Sequence, residues 1–480
     1  MRSDSSRVTR RRLLAGGLSV AALGAGAAGY RLSRTPVGLL DGQSRARAVT
    51  TDDALPAAVD VAIIGGGFVG TSAALTLAER GVSTALFEKG VIAGEASGRS
   101  MGYIDSQLLD PGKMDLVARS KAIWAELNTR TGLETGYRPT GLVESLGSPD
   151  EVAGAEAWLA AIRGMPGADG RILRAREIAA LYPGMVDPPP AALLTPGDAS
   201  AEPQLAAPAM AEAAQNHGAR ILQRCAVRGL EFTDRRVSAV VTERGRVACQ
   251  SVVLAGGAWT PLFASSLGVQ LPQLEIFLSM MGLSAVAGPK VPLSADGYGF
   301  RPQIDGGYSF GVVDFAAPIQ PATLRNFFRL RPAVEAFWPM AHVGVSPSDF
   351  WRDLVAPSTW RLDAPSPFEA RRVLVPEFRA APLIDGLARL HAHFPVFRGA
   401  TVRDRWSGIV TSFPDNMPVI APVRDRPGLY IGTGFTYGLT MGPAAGEALA
   451  DLATGRVPVI DLHPYRLERF SDGTPLEFHG

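Results

Sequence analysis

The stretch Val59–Gly81, VDVAIIGGGFVGTSAALTLAERG, decides how the rest of the chain is read. It opens as a short apolar run with β-branched residues that stops abruptly at three glycines, the pattern of a buried parallel strand. TSAALTLAERG then reads as a helix, with Ala74, Leu75, Leu77 and Ala78 on or near an apolar face and Gly81 ending it. GVSTALFEKG, residues 81–90, gives a second strand. Strand, glycine turn, helix, strand is the context in which a GxGxxG match carries weight. Gly65 permits the tight turn, Gly67 lets the backbone approach a pyrophosphate, and Gly70 lets the helix pack close to the strand. The helix N-terminus offers free N–H groups and partial positive charge to the phosphates. Glu88 closes the second strand 23 residues after Gly65. A carboxylate there accepts hydrogen bonds from a ribose 2′-OH and repels a 2′-phosphate, which disfavours NADP. The turn alone does not separate FAD from NAD, although its place near the start of the mature sequence leans towards FAD.

Around this turn the chain has 480 residues, room for two domains, and an apolar fraction of 46%, as expected of a well-buried α/β protein. The formal charge of +1 gives no footprint for nucleic acid. The two cysteines, Cys225 and Cys249, have no metal-ligand spacing and read as buried thiols, a single bridge being the alternative. No metal site is expected.

The first residues differ from everything after them. TRRRLLAGGLSVAALGAGAAG, residues 9–29, places Arg10 and Arg11 before a weakly apolar Gly/Ala run. This resembles a twin-arginine export signal, and its apolar run falls short of the ~20 residues of a spanning helix. The expectation is an exported protein, periplasmic or extracytoplasmic, handled by the twin-arginine machinery, or membrane-anchored if the signal stays on. Small-residue cleavage sites lie at Ala25–Ala28 and at Ala46–Ala48. Residues 1–48 hold nine arginines and two aspartates, so the remainder would sit near −6. Residues 31–57 read as a linker without clear period.

Further glycine-rich segments follow in order. GEASGRSMGYI, residues 94–104, suits a run lying against a cofactor, with Arg99 as a surface charge in the alternative. SVVLAGGAW, residues 251–259, is a strand stopping on a glycine pair beneath a nucleotide. LYIGTG, residues 429–434, leads through a glycine loop into a helix, a site for an anion or a flavin carbonyl. The set IIGGGFVG, FEKG, ASGRSMG, VVLAGGAW, FPDNMPVIAP and GLYIGTGFTYGLTMGPAAG resembles the D-amino-acid oxidase/sarcosine oxidase family of FAD-dependent oxidoreductases, over residues 59–457. ASGRSMG is most similar to the branch with the glutamylputrescine oxidoreductases.

The resemblance implies an α/β architecture: a Rossmann-like FAD-binding domain from residues 58–110, 195–272 and 403–460, and an α+β substrate domain on an antiparallel sheet from 111–194 and 273–402. It implies cofactor contacts from Gly65, Gly67, Phe68, Val69 and Gly70 in the turn and from Glu88 and Lys89 after the second strand. Ala96, Ser97, Gly98, Arg99, Ser100 and Met101 would run beside the flavin, and Val227 would meet the adenine side. Ala255, Gly256, Gly257 and Trp259 would line the dinucleotide, and Gly434, Phe435, Gly438, Leu439, Thr440 and Met441 the pyrimidine end of the flavin. The FAD would be non-covalent, since neither ASGRSMG nor TGFTYGLTM holds a His or Cys.

Members acting on amino acids commonly carry a carboxylate-pairing arginine in a WxGxRPxTPD segment, a role suited to the guanidinium fork. Here the segment is WSGIVTSFPD, with Val410 in that place. Arg301 could supply the charge, a structural arginine being the alternative. Tyr298, Tyr308 and Tyr437 are pocket candidates, with packing as the alternative for each. The expected chemistry is hydride transfer from the C–N centre of a small amine or amino acid to flavin, followed by imine hydrolysis. Electrons would then pass to oxygen or to a quinone or carrier. A same-fold enzyme acting on a hydroxy acid or polyol, and a non-catalytic flavin-binding assembly factor, are the alternatives.

Overall fold

The computed structural model describes residues 45–295, 297–337, 341–344, 350, 351, 354 and 359–480. The arginine pair and the Ala25–Ala28 site lie outside these residues.

The glycine-turn stretch forms strand β1 (Ala58–Ile64), helix α1 (Phe68–Glu79) and strand β2 (Thr84–Glu88). β1 sits mid-sheet, with parallel neighbours β2 on one side and β3 (Gly245–Leu254) on the other. Leu429–Thr433 extends the sheet in parallel beyond β3, and Arg220–Gln223 does so beyond β2. A meander, Val227–Thr233 and Arg236–Thr242, leads antiparallel into β3. The sheet has eight strands among the described residues. Side chains alternate between its faces: Val61 and Ile63 join one core, Ala62 between them the other. α1 is buried nearly all round, because the sheet, helix Pro203–Asn216 and helix α2 (Gly438–Ala453) all cover it. Its apolar periodicity is accordingly weak.

The second sheet has ten strands among the described residues, mostly antiparallel. Its centre is β4 (Leu274–Leu283), paired along its length with β5 (Val402–Ser412). Tyr298–Pro302 and Tyr308–Gly311 form a hairpin around Asp305–Gly307.

Three segments depart from the expected partition. β5 belongs to the second sheet and not to the nucleotide layer assigned to 403–460. Helix Met114–Thr131, expected in the substrate domain, packs against α2 in the nucleotide-side core, where Trp124 Nε1 donates to the Leu439 carbonyl at 3.0 Å. Residues 359–374, also expected there, pack on the first-sheet meander. The linker reading of 31–57 fails over its described part. Arg45 pairs with Asp404 at 2.7 Å and lies 3.6 Å from the Trp406 ring centroid. Arg47 pairs with Glu212 at 2.9 Å, and Asp52 accepts the Ile221 N–H at 2.7 Å. Polar pairing of this segment onto three distant elements makes it a strap, which sparse apolar content could not reveal. Cys225 and Cys249 are buried free thiols.

Candidate active site

β1 ends at Gly65, whose φ of +114° is closed to most side chains. A Cβ there would collide with the Ala255 carbonyl oxygen, which binds the turn to the end of β3. A Cβ on Gly70 would strike the Gly65 carbonyl, so α1 starts hard against the strand. The first turn of α1 has no side-chain cap and no acidic residue. Its amide field is thereby left for an anion. The Phe68 N–H is the exception: it donates to Ser97 Oγ at 3.0 Å, tying the turn to ASGRSMG.

Glu88 ends β2 beside this turn. Its carboxylate accepts N–H bonds from Gly66 at 2.8 Å and Gly90 at 2.6 Å. Burial raises its pKa, opposed by the Lys89 charge and these amides. The first turn of α2 likewise lacks a cap and an acid. Gly446 lets α2 approach α1, since a Cβ there would stand 2.5 Å from the Val69 carbonyl oxygen. Both helix N-termini therefore converge on one cleft, lined along its length by the glycine turn, Glu88 and the loop before α2.

Most of the sequence-derived residues line this cleft: Gly65, Gly67, Phe68, Val69, Glu88, Lys89, Ala96, Ser97, Arg99, Ser100, Val227, Ala255, Gly256, Gly257, Trp259, Gly434, Phe435, Gly438 and Leu439. Five lie behind the wall. Gly70 is under Gly65, and Gly98 abuts the Ala93 carbonyl. Met101 reaches the second sheet at Gly311, and Met441 is core. Thr440 Oγ1 donates to Asp105 at 2.7 Å. Arg99 is no surface charge: it is buried, and its Nη1 donates to the carbonyls of Leu374 (3.0 Å) and Ser407 (3.1 Å).

Glu95 is a residue the sequence reading missed. It accepts from Lys89 Nζ at 2.9 Å, Trp259 Nε1 at 3.1 Å and the Leu374 N–H at 2.9 Å. Phe263, Phe368, Leu374, Ile409, Thr433 and Thr436 also line the cleft. Of these only Thr433 and Thr436 adjoin a glycine motif; Phe368 and Leu374 arrive from far along the chain with no local signal.

The substrate candidates are corrected. Arg301 is fully buried, and its two terminal nitrogens donate to the two Glu202 oxygens, each at 2.9 Å. Its Nε donates to the Met101 carbonyl at 2.7 Å. It is a structural arginine with no fork left for a substrate. Tyr298 bonds His393 at 2.9 Å and Tyr308 the Pro289 carbonyl at 3.1 Å, both inside the second-sheet core. Tyr437 packs beside the nucleotide-side core just before α2, and is not on the cleft wall. Val410, by contrast, does line the cleft.

At Ala258, Trp259, Leu374 and Ile409 the cleft adjoins a second cavity of about 520 Å³. Phe277 on β4, Val375 and Pro376 give it apolar walls; Arg325, Arg371 and Arg379 give it cationic ones. Asp314 engages both Arg379 and His342, at 2.7 Å each. Among the described residues no cluster of side chains could hold a metal ion.

A nucleotide cleft at the carboxyl ends of parallel strands, adjoined by a large cavity under an antiparallel sheet, defines a two-layer flavin-type oxidoreductase. The family model for FAD dependent oxidoreductases (DAO) matches residues 60–452, and the chain belongs to this family. It is an FAD-dependent oxidoreductase. L-Amino acid deaminase from Proteus myxofaciens, solved with anthranilate, is similar at a TM-score of 0.86 and 34% identity, over 89% of this chain and 97% of that one. The L-amino acid deaminase from Proteus vulgaris gives 0.85 and 32%, over 88% and 100%. Glycine oxidase of Pseudomonas putida is 25% identical over 428 residues, 85% of this chain and 98% of the oxidase.

Proposed function

We propose that the protein oxidises the C–N bond of an amino acid, yielding an imine that water converts to an oxo acid and ammonia. The observation that carries this reading is the second cavity meeting the FAD cleft at Trp259, Leu374 and Ile409. Similarity to the L-amino acid deaminases supports it. Bound FAD supplies a hydride acceptor. The residues lining the cleft fit that group. The two uncapped helix N-termini would hold its phosphate and carbonyl oxygens, Glu88 its ribose, and Ser97, Arg99 and Ser100 would lie beside the ring. Among the described residues no His or Cys lines the cleft, in keeping with non-covalent binding.

The chain's own part is to orient and desolvate the substrate. Ile409, Phe277 and Leu374 give an apolar surround that favours a neutral amine over its ammonium form. With Val410 in place of an arginine and Arg301 committed to Glu202, a substrate carboxylate falls to Arg371 or Arg325 on the wall of the second cavity. Neither guanidinium has a carboxylate partner among the described residues. Val410 favours a second reading, an amine without a carboxylate. Incubating the FAD-loaded enzyme with L- and D-amino acids and with simple amines, and assaying oxo acids and aldehydes, separates the two. Oxo acid from amino acids supports the first, and aldehyde from amines alone the second.

Export through the twin-arginine route, with electrons passing to oxygen or to a quinone or carrier, belongs to the same proposal. Folding around FAD before export suits a route that moves folded proteins. Among the described residues no helix is long and apolar enough to cross a membrane. Replacing Arg10 and Arg11 by lysines in a secreting host tests export: the proposal predicts retention in the cytoplasm.

A further inference from the structure

The segment from Trp360 to Arg372 comes from the stretch that builds the second sheet's surroundings, yet it lies across the first. Trp360 Nε1 donates to the Arg228 carbonyl at 2.6 Å. Glu369 receives the Arg228 guanidinium at 2.6 Å from Nη2 and 3.1 Å from Nε. Arg372 forms a fork with Glu243 at 2.7 and 2.6 Å. Arg372 and Lys89 exchange side-chain-to-carbonyl bonds at 2.8 and 2.6 Å. Arg228 and Glu243 stand on the meander that flanks Val227, and Lys89 follows Glu88. The anchors therefore surround the end of the cleft marked by the ribose-facing carboxylate, opposite Gly434–Leu439.

Between the anchors Phe368 enters the cleft wall. It is nearly fully buried, with ring centroids 5.8 Å from Trp259, 5.6 Å from Phe263 and 5.2 Å from Trp360. The Arg228–Glu369 pair is largely withdrawn from water, with side-chain exposures of 15% and 12%, while Arg372 of the second pair is 34% exposed against 16% for Glu243. Desolvated bidentate pairs hold geometry better than surface ones.

We propose that residues 360–372 are a strap over the FAD cleft, covering its adenine end at Phe368 and reaching the second cavity at Arg371. Phe368 is the apolar wall for the adenine ring, and FAD enters and leaves only when the Arg228–Glu369 and Arg372–Glu243 pairs part. The proposal rests on the FAD reading of the cleft, but not on the substrate.

The test is the rate at which the FAD-loaded full chain releases FAD on dilution, followed by the rise in flavin fluorescence. Glu369→Gln and Glu243→Gln leave the cleft lining intact and are expected to speed release about tenfold each. Phe368→Ala is expected to weaken FAD binding about tenfold, the scale of losing one aromatic wall on a base. A salt series on the unaltered protein is the second arm, needed if a variant does not fold: release should quicken with ionic strength. Release rates unchanged by both Gln variants and by salt would overturn the strap. A wild-type chain that takes up no FAD would overturn the reading of the cleft itself, and the strap with it.

Discussion

Arg301 shows at single-residue scale how a charge can mislead. In sequence, an arginine beside the expected substrate sheet is a carboxylate partner as readily as a structural group. In the structure it is sealed with Glu202 and tied to Met101 and Ser309. Arg301→Leu should therefore destabilise the fold by about 3–5 kcal/mol, because it leaves Glu202 buried and unpaired. Denaturant unfolding checks this, and the apparent KM of any Glu202→Gln enzyme should stay near wild type. Gly70→Ala acts at the opposite end of the size range. One methyl group has no room against the Gly65 carbonyl, so the turn must open. FAD retention after gel filtration should fall to near zero, while the far-ultraviolet dichroism stays close to that of the parent.

Whole elements explain what was legible and what was not. The strand, turn, helix and strand at residues 58–88 could be read because every contact of the GxGxxG signal is local. The loop into α2 was legible for the same reason. β5 was misplaced because its partner β4 is more than a hundred residues away, and nothing in WSGIVTSFPD encodes which sheet it joins. Phe368 and Glu95 were missed because their roles arise only when distant segments meet. The strap at Arg45–Asp52 reads as a linker in sequence because it docks mainly by polar pairs, with only Ala46 and Val49 packed on the core. It carries a prediction. Arg45 stacks on Trp406, whose Nε1 donates to the Arg99 carbonyl at 2.9 Å, and Arg99 lines the cleft. Arg45→Ala, or removal of residues 1–48, should weaken FAD binding several-fold in a fluorescence titration, with removal of 1–44 harmless. Equal affinity in all three chains would deny the coupling. By this account a cleavage at Ala46–Ala48 would cut into the folded body.

At the scale of the whole molecule, the two layers meet over a set of buried acids. Burial, with further help from Asp198 and Glu144, raises the Asp105 carboxyl to about 7 against its bond from Thr440. Burial, with Glu151, raises Glu144 to about 7. Both groups bind a proton more tightly folded than unfolded. Their contribution to stability is present at acid pH and declines as pH rises through about 7. Glu369 runs the other way. Burial opposes its ionisation, but Arg228 and the Ser366 bonds bring its pKa to about 2, so its contribution is lost as pH falls towards that value. The melting temperature should therefore decline as pH rises from about 4 to about 7 and level off above that, and Asp105→Asn should flatten that slope. An unchanged slope in the Asn variant would place the titration elsewhere.

The central claim is that this chain holds FAD over a cavity in which an amino acid gives up hydride. The most direct measurement is anaerobic mixing of the FAD-loaded protein with L-amino acids, D-amino acids and simple amines in turn, following the visible flavin absorption band. The account predicts that the band bleaches with amino acids at a rate that saturates with concentration, and that Arg371→Ala or Arg325→Ala raises the half-saturating concentration without abolishing bleaching. A band that stays intact across the whole panel, in a protein that demonstrably holds FAD, would contradict it.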